Sequence, residues 1–262
     1  MRQVTFDKRP TAASTPERLT LFQPSIYTTS TPVAELDYNL HKSNSTYLTD
    51  LDIARGLHVF KLFRTGFAHY GAPSGKEGTA RFFPALGGVS CLFKREIKPF
   101  VKFEVWTRVL SWDSKWIYVV SHFVKAGAVR PESFVDQPWL KGPPRRRRTT
   151  GGGGEGPAKA GGEKGASSSS PAPPAGSHPA IYCTCVTKYV MKKGRKTIPP
   201  EEFLRVCDLL PDAAEGGEGD AAAVLEAITK RKDEGLAIAE SFAVLDQAHD
   251  WFGADETAFA TY

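Results

Sequence analysis

The sequence predicts an α+β domain in which one long amphipathic helix lies against an antiparallel sheet. Three observations carry this expectation. Residues 45–70 hold an apolar stripe at helical spacing. Residues 89–125 contain strand-like runs, one of them cleanly alternating, around a tight turn. Residues 180–191 resume a β-rich pattern after a long break in composition.

The elements follow in order. Residues 1–20 are polar and read as a flexible arm, and a first strand is expected within Leu21–Glu35. The helix is expected from about Ser45 to Tyr70, with Tyr47, Leu51, Ala54, Leu57, Phe60, Phe63 and Phe67 as its buried stripe. Asp50 and Asp52 lie near its N-terminal end, where the helix dipole favours acids. A strand is expected over Val89–Ile97. Phe100–Leu110 places Val101, Phe103, Val105, Thr107 and Val109 on one face, with Lys102, Glu104, Trp106 and Arg108 on the other. Lys115–Lys125 is rich in β-branched and aromatic residues, and Trp112–Lys115 reads as a tight hairpin. Ala180–Met191 gives the last strand.

Between these, residues 126–179 lose all periodicity: Arg145–Arg148, Gly151–Gly154, Ser167–Ser170 and Pro171–Pro174 follow one another. Such a composition buries too little apolar surface to offset the entropy of ordering, so a disordered insert is expected here. The entropic cost of closing a loop grows slowly with length, and the sheet tolerates it. Proline and acids at Pro199–Glu202 start a short helix that runs to about Leu210. One or two helices are expected within Ala221–Phe252. The main domain is therefore placed at 21–210 and a helical C-terminal extension, a peripheral cap or dimer accessory, at 211–262.

Composition narrows the function classes. Seven basic and two acidic residues lie between Lys141 and His178, an excess equal to the whole net charge of +5. The remainder is neutral, whereas a nucleic-acid reader carries its charge on a folded surface; no specific nucleic acid is expected as partner. The Arg145–Arg148 run reads as solvated, or as a weak electrostatic tether. The cysteines Cys91, Cys183, Cys185 and Cys207 have no zinc or disulfide-framework spacing, which suits a reducing compartment. No apolar run reaches about 18 residues, and the first 24 residues lack the apolar core of a signal peptide. A cytoplasmic location is expected, with a membrane anchor only if the N-terminus is incomplete.

The most informative stretch is Asp37-Tyr38-Asn39-Leu40-His41-Lys42-Ser43-Asn44-Ser45-Thr46-Tyr47-Leu48, a polar cluster ending at a helix start. First-turn N–H groups have no intrahelical partner and suit an anion or a developing oxyanion. Asp37 is the candidate catalytic group, set against a turn or capping role, in which Asp is common. Asn39 could orient water or hold the loop. His41 could polarise a carbonyl, act as a base, or bond only the loop backbone. Asn44, Ser43 or Ser45 could cap the helix, and Tyr47 falls on its apolar stripe. His58 and His69 read as surface or satisfied core groups. His122 could line a pocket, although a structural role is favoured. Cys183 and Cys185 share a strand face but have no histidine nearby in sequence.

This stretch resembles the hotdog-fold thioesterases of the 4-hydroxybenzoyl-CoA thioesterase type. Their segment before the central helix reads Asp-x-Asn-x-His-x-Asn-Asn-x-x-Tyr, which Asp37, Asn39, His41, Asn44 and Tyr47 match; Ser43 replaces the first of the paired asparagines. Leu51-Asp52-Ile53-Ala54-Arg55 also resembles the family's helix. The resemblance covers about 21–125 and 180–210. It is nearest to fungal proteins, some of them from lipopeptide and polyketide gene clusters. It implies a hotdog fold, with the long central helix wrapped by an antiparallel sheet. It also implies hydrolysis of an acyl thioester on coenzyme A or a carrier protein, in secondary or lipid metabolism. Asp37, Asn39 and His41 would be catalytic; Asn44, Ser45 and Tyr47 would hold the oxyanion or position substrate. No cofactor or metal is required beyond the coenzyme A or phosphopantetheine of the substrate. The implied assembly is a homodimer or higher hotdog oligomer, with an acyl carrier protein as a partner to consider. A hydratase or dehydratase on the same fold, and a non-catalytic acyl-binding or scaffold protein, are the rival readings.

Overall fold

The computed structural model describes residues 19–71, 81–131, 133–137, 140, 180–211 and 220–251. Residues 1–18 of the expected arm and most of the expected insert lie outside them, while Thr20 is buried in a short helical turn, Thr20–Phe22. Among the described residues, six strands form one antiparallel sheet: β1 (Ser25–Ser30), β2 (Phe82–Phe93), β3 (Lys102–Trp112), β4 (Ile117–Lys125), β5 (Ile181–Lys193) and β6 (Lys196–Ile198). Their order is β1-β3-β4-β5-β2, with β6 paired to the end of β5. Helices α1 (Asn44–Leu62) and α2 (Arg64–Gly71) follow β1, while α3 (Pro200–Val206) and α4 (Asp220–Asp246) follow the sheet. The chain thus has the hotdog layout, with α1 laid across the inner face of a curled sheet.

Each strand pair follows from its sequence. Asp113 closes the β3–β4 hairpin: its Oδ1 accepts the Lys115 and Trp116 N–H groups at 2.7 Å each, and its own N–H donates to the Trp116 carbonyl. On the inner face, Phe103 and Val105 of β3, Phe123 of β4, and Cys183 and Cys185 of β5 pack against Tyr47, Leu51 and Ala54 of α1. A second cluster lies beyond it. There Val59, Phe63 and Phe67 meet Val109, Ile117, Val119, Met191 and α3.

The helix departs from its expected form in two ways. It breaks at Phe63 into α1 and α2 instead of running to Tyr70. The break lets α2 fold down onto α3, where Gly66 lies so close that an added Cβ would sit 2.6 Å from both Phe203 and the Cys207 sulfur. The buried stripe also differs. Leu57 is 55% and Phe60 49% exposed, while Arg55, His58 and Val59 are buried. The reason is angular: at about 100° per residue, successive steps of three fall back by about 60° each, so Phe60 points roughly opposite to Leu51. The true inner face advances by steps of three and four through Tyr47, Leu51, Arg55 and His58.

β2 spans Phe82–Phe93 rather than Val89–Ile97. Pro84 and the Gly87-Gly88 pair obscure its first half in sequence. An edge strand accepts proline, and the glycines admit close neighbours. The Trp116 ring lies where a Cβ on Gly87 would be, at 2.2 Å, and Phe242 presses on Gly88. β6 was not anticipated; Gly194, with φ +60°, turns the chain back from β5 into it.

Two expectations about the flanking segments also change. The start of the expected insert has defined contacts: Asp136 pairs with Lys61 at 2.9 Å and Arg64 at 2.6 Å. Charge pairing to the α1–α2 junction holds Asp136, which the composition places in a disordered insert. Helix α4 is more than a peripheral cap. Its stripe Val224, Ile228, Gly235, Ala239 and Phe242 is buried, and it packs on the outer face, where its Lys232 carbonyl accepts the Ser111 hydroxyl at 2.7 Å. Gly235 sits directly on the β3 backbone, where a Cβ would lie 2.1 Å from the Leu110 carbonyl oxygen.

Candidate active site

Two residues past the Val33–Glu35 turn, the chain reverses on itself. The Asp37 N–H donates to the His41 carbonyl at 2.9 Å, and the Leu40 N–H to the Asp37 carbonyl at 3.0 Å. Leu40 takes the left-handed conformation, φ +60°, that this reversal demands. Leu36 then pairs with Lys42, and α1 begins two residues later. One short hairpin therefore holds both Asp37 and the helix start.

The half-buried Asp37 carboxylate faces inward over this hairpin. Its Oδ1 accepts the N–H of Asn39 at 2.9 Å and of His41 at 3.2 Å. The structure so brings Asp37 together with the backbone of Asn39 and His41, not with their side chains. Asn39 is exposed and His41 half-buried. At the helix start Ser43 is the N-cap, but its hydroxyl bonds Ser45 Oγ at 3.0 Å instead of capping the first turn. Asn44 and Ser45 are exposed, leaving first-turn N–H groups without a side-chain cap. Tyr47, by contrast, is core. Its ring packs on Phe93 and Phe123 with centroids 5.2 and 5.1 Å apart, and burial pushes its phenol well above the usual range. A direct role in positioning substrate does not suit so enclosed a ring.

The residue that organises the site carries no signal in the sequence pattern. Lys42 is buried, although lysine is among the residues least often buried. Its ammonium pairs with Glu35 and, at 2.7 Å, with Asp50 Oδ2. It also lies 5.6 Å from the Tyr47 ring centroid and 5.5 Å from that of Phe103. Burial pushes the Asp50 carboxyl up, opposed by the bond and charge of Lys42. Asp50 is thus an anchor rather than a dipole-favoured surface acid. The Lys42 N–H donates to the Ile97 carbonyl, and the Ser43 N–H to that of Glu35, fixing the hairpin to its surroundings.

Further along α1, His58 is fully buried with Nδ1 2.9 Å from Ser25 Oγ, while Nε2 has no hydrogen-bond partner among the described residues. Burial, then the charge of Arg108, pulls its pKa down to about 4. His122 bonds Thr184 on the outer face, away from α1. Among the described residues, no group of three or more His, Cys, Asp or Glu is arranged to hold a metal ion, and no helix is long and apolar enough to cross a membrane.

With this geometry in place, comparison with known proteins is decisive for the family. Residues 31–137, which contain the whole hairpin, match the family model of the thioesterase-like superfamily. The thioesterase poxG of Penicillium oxalicum is 32% identical over 249 residues, 88% of this chain and 70% of that protein. The chain belongs to the thioesterase-like superfamily. The probable thioesterase atnL of Emericella nidulans is 35% identical over 235 residues, 83% of this chain and 66% of its own. The chain spans about two thirds of the length of these two relatives. Among solved structures, the YbaW probable thioesterase from Escherichia coli is similar with a TM-score of 0.42 and 10% identity, covering 70% of this chain and 96% of that one.

Two outcomes follow from the buried charges. Lys42→Met should destabilise the fold by about 3–5 kcal/mol in urea unfolding, because Asp50 is left as an unpaired buried acid. Adding Asp50→Asn should recover part of that loss; no recovery would mean that the charge pair is not what Lys42 contributes. The His58 imidazole is largely neutral in both the folded and the unfolded chain above about pH 6.5. As pH falls from there toward 4, the unfolded chain takes up a proton that the folded one refuses. Stability should drop by up to about 3 kcal/mol over that window, and the slope of urea-unfolding free energy against pH should flatten in His58→Gln.

Proposed function

We propose that this protein hydrolyses acyl thioesters, with Asp37 as the catalytic carboxylate. One observation carries the reading: Asp37 Oδ1 is fixed by two backbone N–H groups, which holds the carboxylate in place on the same hairpin that ends at the uncapped start of α1. Its Oδ2 makes no hydrogen bond among the described residues. It is the oxygen that takes a proton from water as that water attacks the thioester carbonyl carbon. As the C–O bond forms, the oxyanion is met by the backbone N–H groups of Asn44 and Ser45. The tetrahedral intermediate then collapses, the C–S bond breaks, and the thiolate of coenzyme A or of a carrier protein's phosphopantetheine departs. Asn39 and His41 shape this site chiefly through their backbone. The names of relatives as thioesterases support the reading.

We further infer that the working unit is a homodimer joined through β2. This strand is 12 residues long, lies at the end of the sheet order, and carries exposed Phe83, Leu86, Leu92 and Phe93. A long edge with apolar side chains invites pairing, and a second copy supplies a matching strand.

Release of free thiol from a panel of acyl-CoA substrates tests the chemistry. The chain should release thiol, and Asp37→Asn should lower the rate about 10²- to 10⁴-fold. The amide oxygen can still accept the two N–H bonds, so the hairpin should persist by circular dichroism. Undiminished release by the variant would overturn the role of Asp37. Hydration of an enoyl substrate without thiol release would favour a hydratase, and ligand binding without turnover a scaffold. Light scattering after size exclusion should give twice the chain mass of 28.6 kDa, and Leu92→Glu should reduce it to the monomer; a monomeric wild type would remove the dimer.

A further inference from the structure

Three of the four cysteines meet at one point on the inner face of the sheet. Cys91 of β2 and Cys185 of β5 are directly opposite in the antiparallel register. Their sulfurs are 3.2 Å apart, and Cys183 Sγ is 3.6 Å from Cys185 Sγ. All are free thiols; Cys183 and Cys185 are fully buried, and Cys91 is half-buried. The arrangement is invisible along the chain, since Cys91 is more than 90 residues from its partners. Directly opposite residues on antiparallel strands hold their Cβ atoms about 4.5–5.5 Å apart, close to the span a disulfide needs.

The surroundings divide the labour among the three. Arg55 of α1 reaches the same face, with its guanidinium 3.4 Å from Thr187 Oγ1, two residues along β5 from Cys185. Thiol donors from Cys183 and Cys185, together with the charge of Arg55, pull the Cys91 thiol well below the usual range, while the hydrogen bonds of Cys183 and Cys91, and then burial, hold Cys185 up. Cys91 is thus the thiol most readily present as thiolate and the one nearest to solvent, the two conditions for reaction with an oxidant.

We propose that Cys91 and Cys185 form a peroxide-oxidisable dithiol, with Cys91 as the attacking sulfur and Cys185 as the resolving one. The Cys91 thiolate attacks one oxygen of hydrogen peroxide. An S–O bond forms, the O–O bond breaks, sulfur is oxidised to the sulfenic acid, and the peroxide is reduced to hydroxide. Cys185 sulfur then attacks the Cys91 sulfur. The S–S bond forms, the S–O bond breaks, and the leaving hydroxide takes the Cys185 proton as water. The product ties β2 to β5 beneath α1, in the same cluster as Tyr47. A small thiol reductant reverses it by exchange. Cys183 is the thiol donor that supports the pair and takes no part in the bond.

The test is peptide mass spectrometry of the full-length protein treated with hydrogen peroxide, unreacted thiols having been blocked by alkylation. A Cys91–Cys185 link that dithiothreitol removes is expected in the wild type and in Cys183→Ser. Cys185→Ser should instead accumulate a dimedone-reactive sulfenic acid at Cys91, and Cys91→Ser should leave Cys185 alkylatable. Three thiols that all remain alkylatable after peroxide would overturn the proposal, as would a link from Cys91 to Cys183 or one that joins two chains. The wild-type result stands without any variant, so a poorly folded variant cannot obscure it.

Discussion

The structure around the candidate site depends on one buried cation. Lys42 is the last residue of the Asp37 hairpin, and its ammonium is the only bond between that hairpin's base, through Glu35, and the body of α1, through Asp50, that the side chains supply among the described residues. A lysine taken out of water is costly unless paired, and so is a carboxylate. Each of the three groups is tolerable in its place only because of the other two. The consequence is positional. The hairpin cannot slide along the helix, and the helix cannot rotate, without exposing an uncompensated charge to a low-dielectric wall of Tyr47 and Phe103. Such a lock costs stability relative to an apolar core, yet it defines one geometry for Asp37 relative to the start of α1.

The outer face obeys a different constraint, that of close approach. Three glycines set it. Gly235 brings α4 onto the β3 backbone, Gly88 admits Phe242, and Gly87 admits the Trp116 ring. Lys188 is buried beneath this helix, its ammonium 2.7 Å from Asp246 and 5.0 Å from both the Trp116 and Phe242 rings. With α4 on the outer face and α1 on the inner face, the middle of the sheet is packed from both sides. Among the described residues of the sheet, the exposed large apolar side chains lie on β2. The chain's own packing thus directs any further association toward that edge.

How far the sequence revealed this follows from which forces act locally. The central strands were legible because alternation is a property of neighbours: Phe103, Val105, Thr107 and Val109 are all buried, as the pattern requires. The start of α1 was legible for the same reason. What failed was anything set by a distant partner. Trp106 belongs to the face read as polar, yet it is buried, with its indole N–H donating to Glu104 at 2.8 Å. The first half of β2 was masked by Pro84 and two glycines, whose reason is again tertiary. Leu57 and Phe60 leave the buried face, because a spacing of three drifts around a helix. Lys42 and the cysteine trio could not be found by pattern, since a buried lysine and a cross-strand thiol contact have no signature in sequence.

Asp37 shows where the local and the functional readings meet. The sequence set a turn-capping carboxylate against a catalytic one as alternatives, yet the two oxygens of one carboxylate need not share a task. Oδ1 is committed to the backbone, closing the reversal that Leu40 makes with its positive φ. A group so held keeps its other oxygen at a fixed place, without the entropy loss that a free side chain would suffer on reaching a transition state. The capping bonds are then the means by which the second oxygen is aimed, and the strained residue beside it is what the hairpin tolerates to keep that aim. The same economy holds at the helix start. Because Ser43 turns its hydroxyl to Ser45, the first-turn N–H groups stay available to a ligand, and the helix gives up some stability at its end to keep a donor site open. Both departures from the most stable local choice fall within nine residues of one another, on the one segment that Lys42 pins in place.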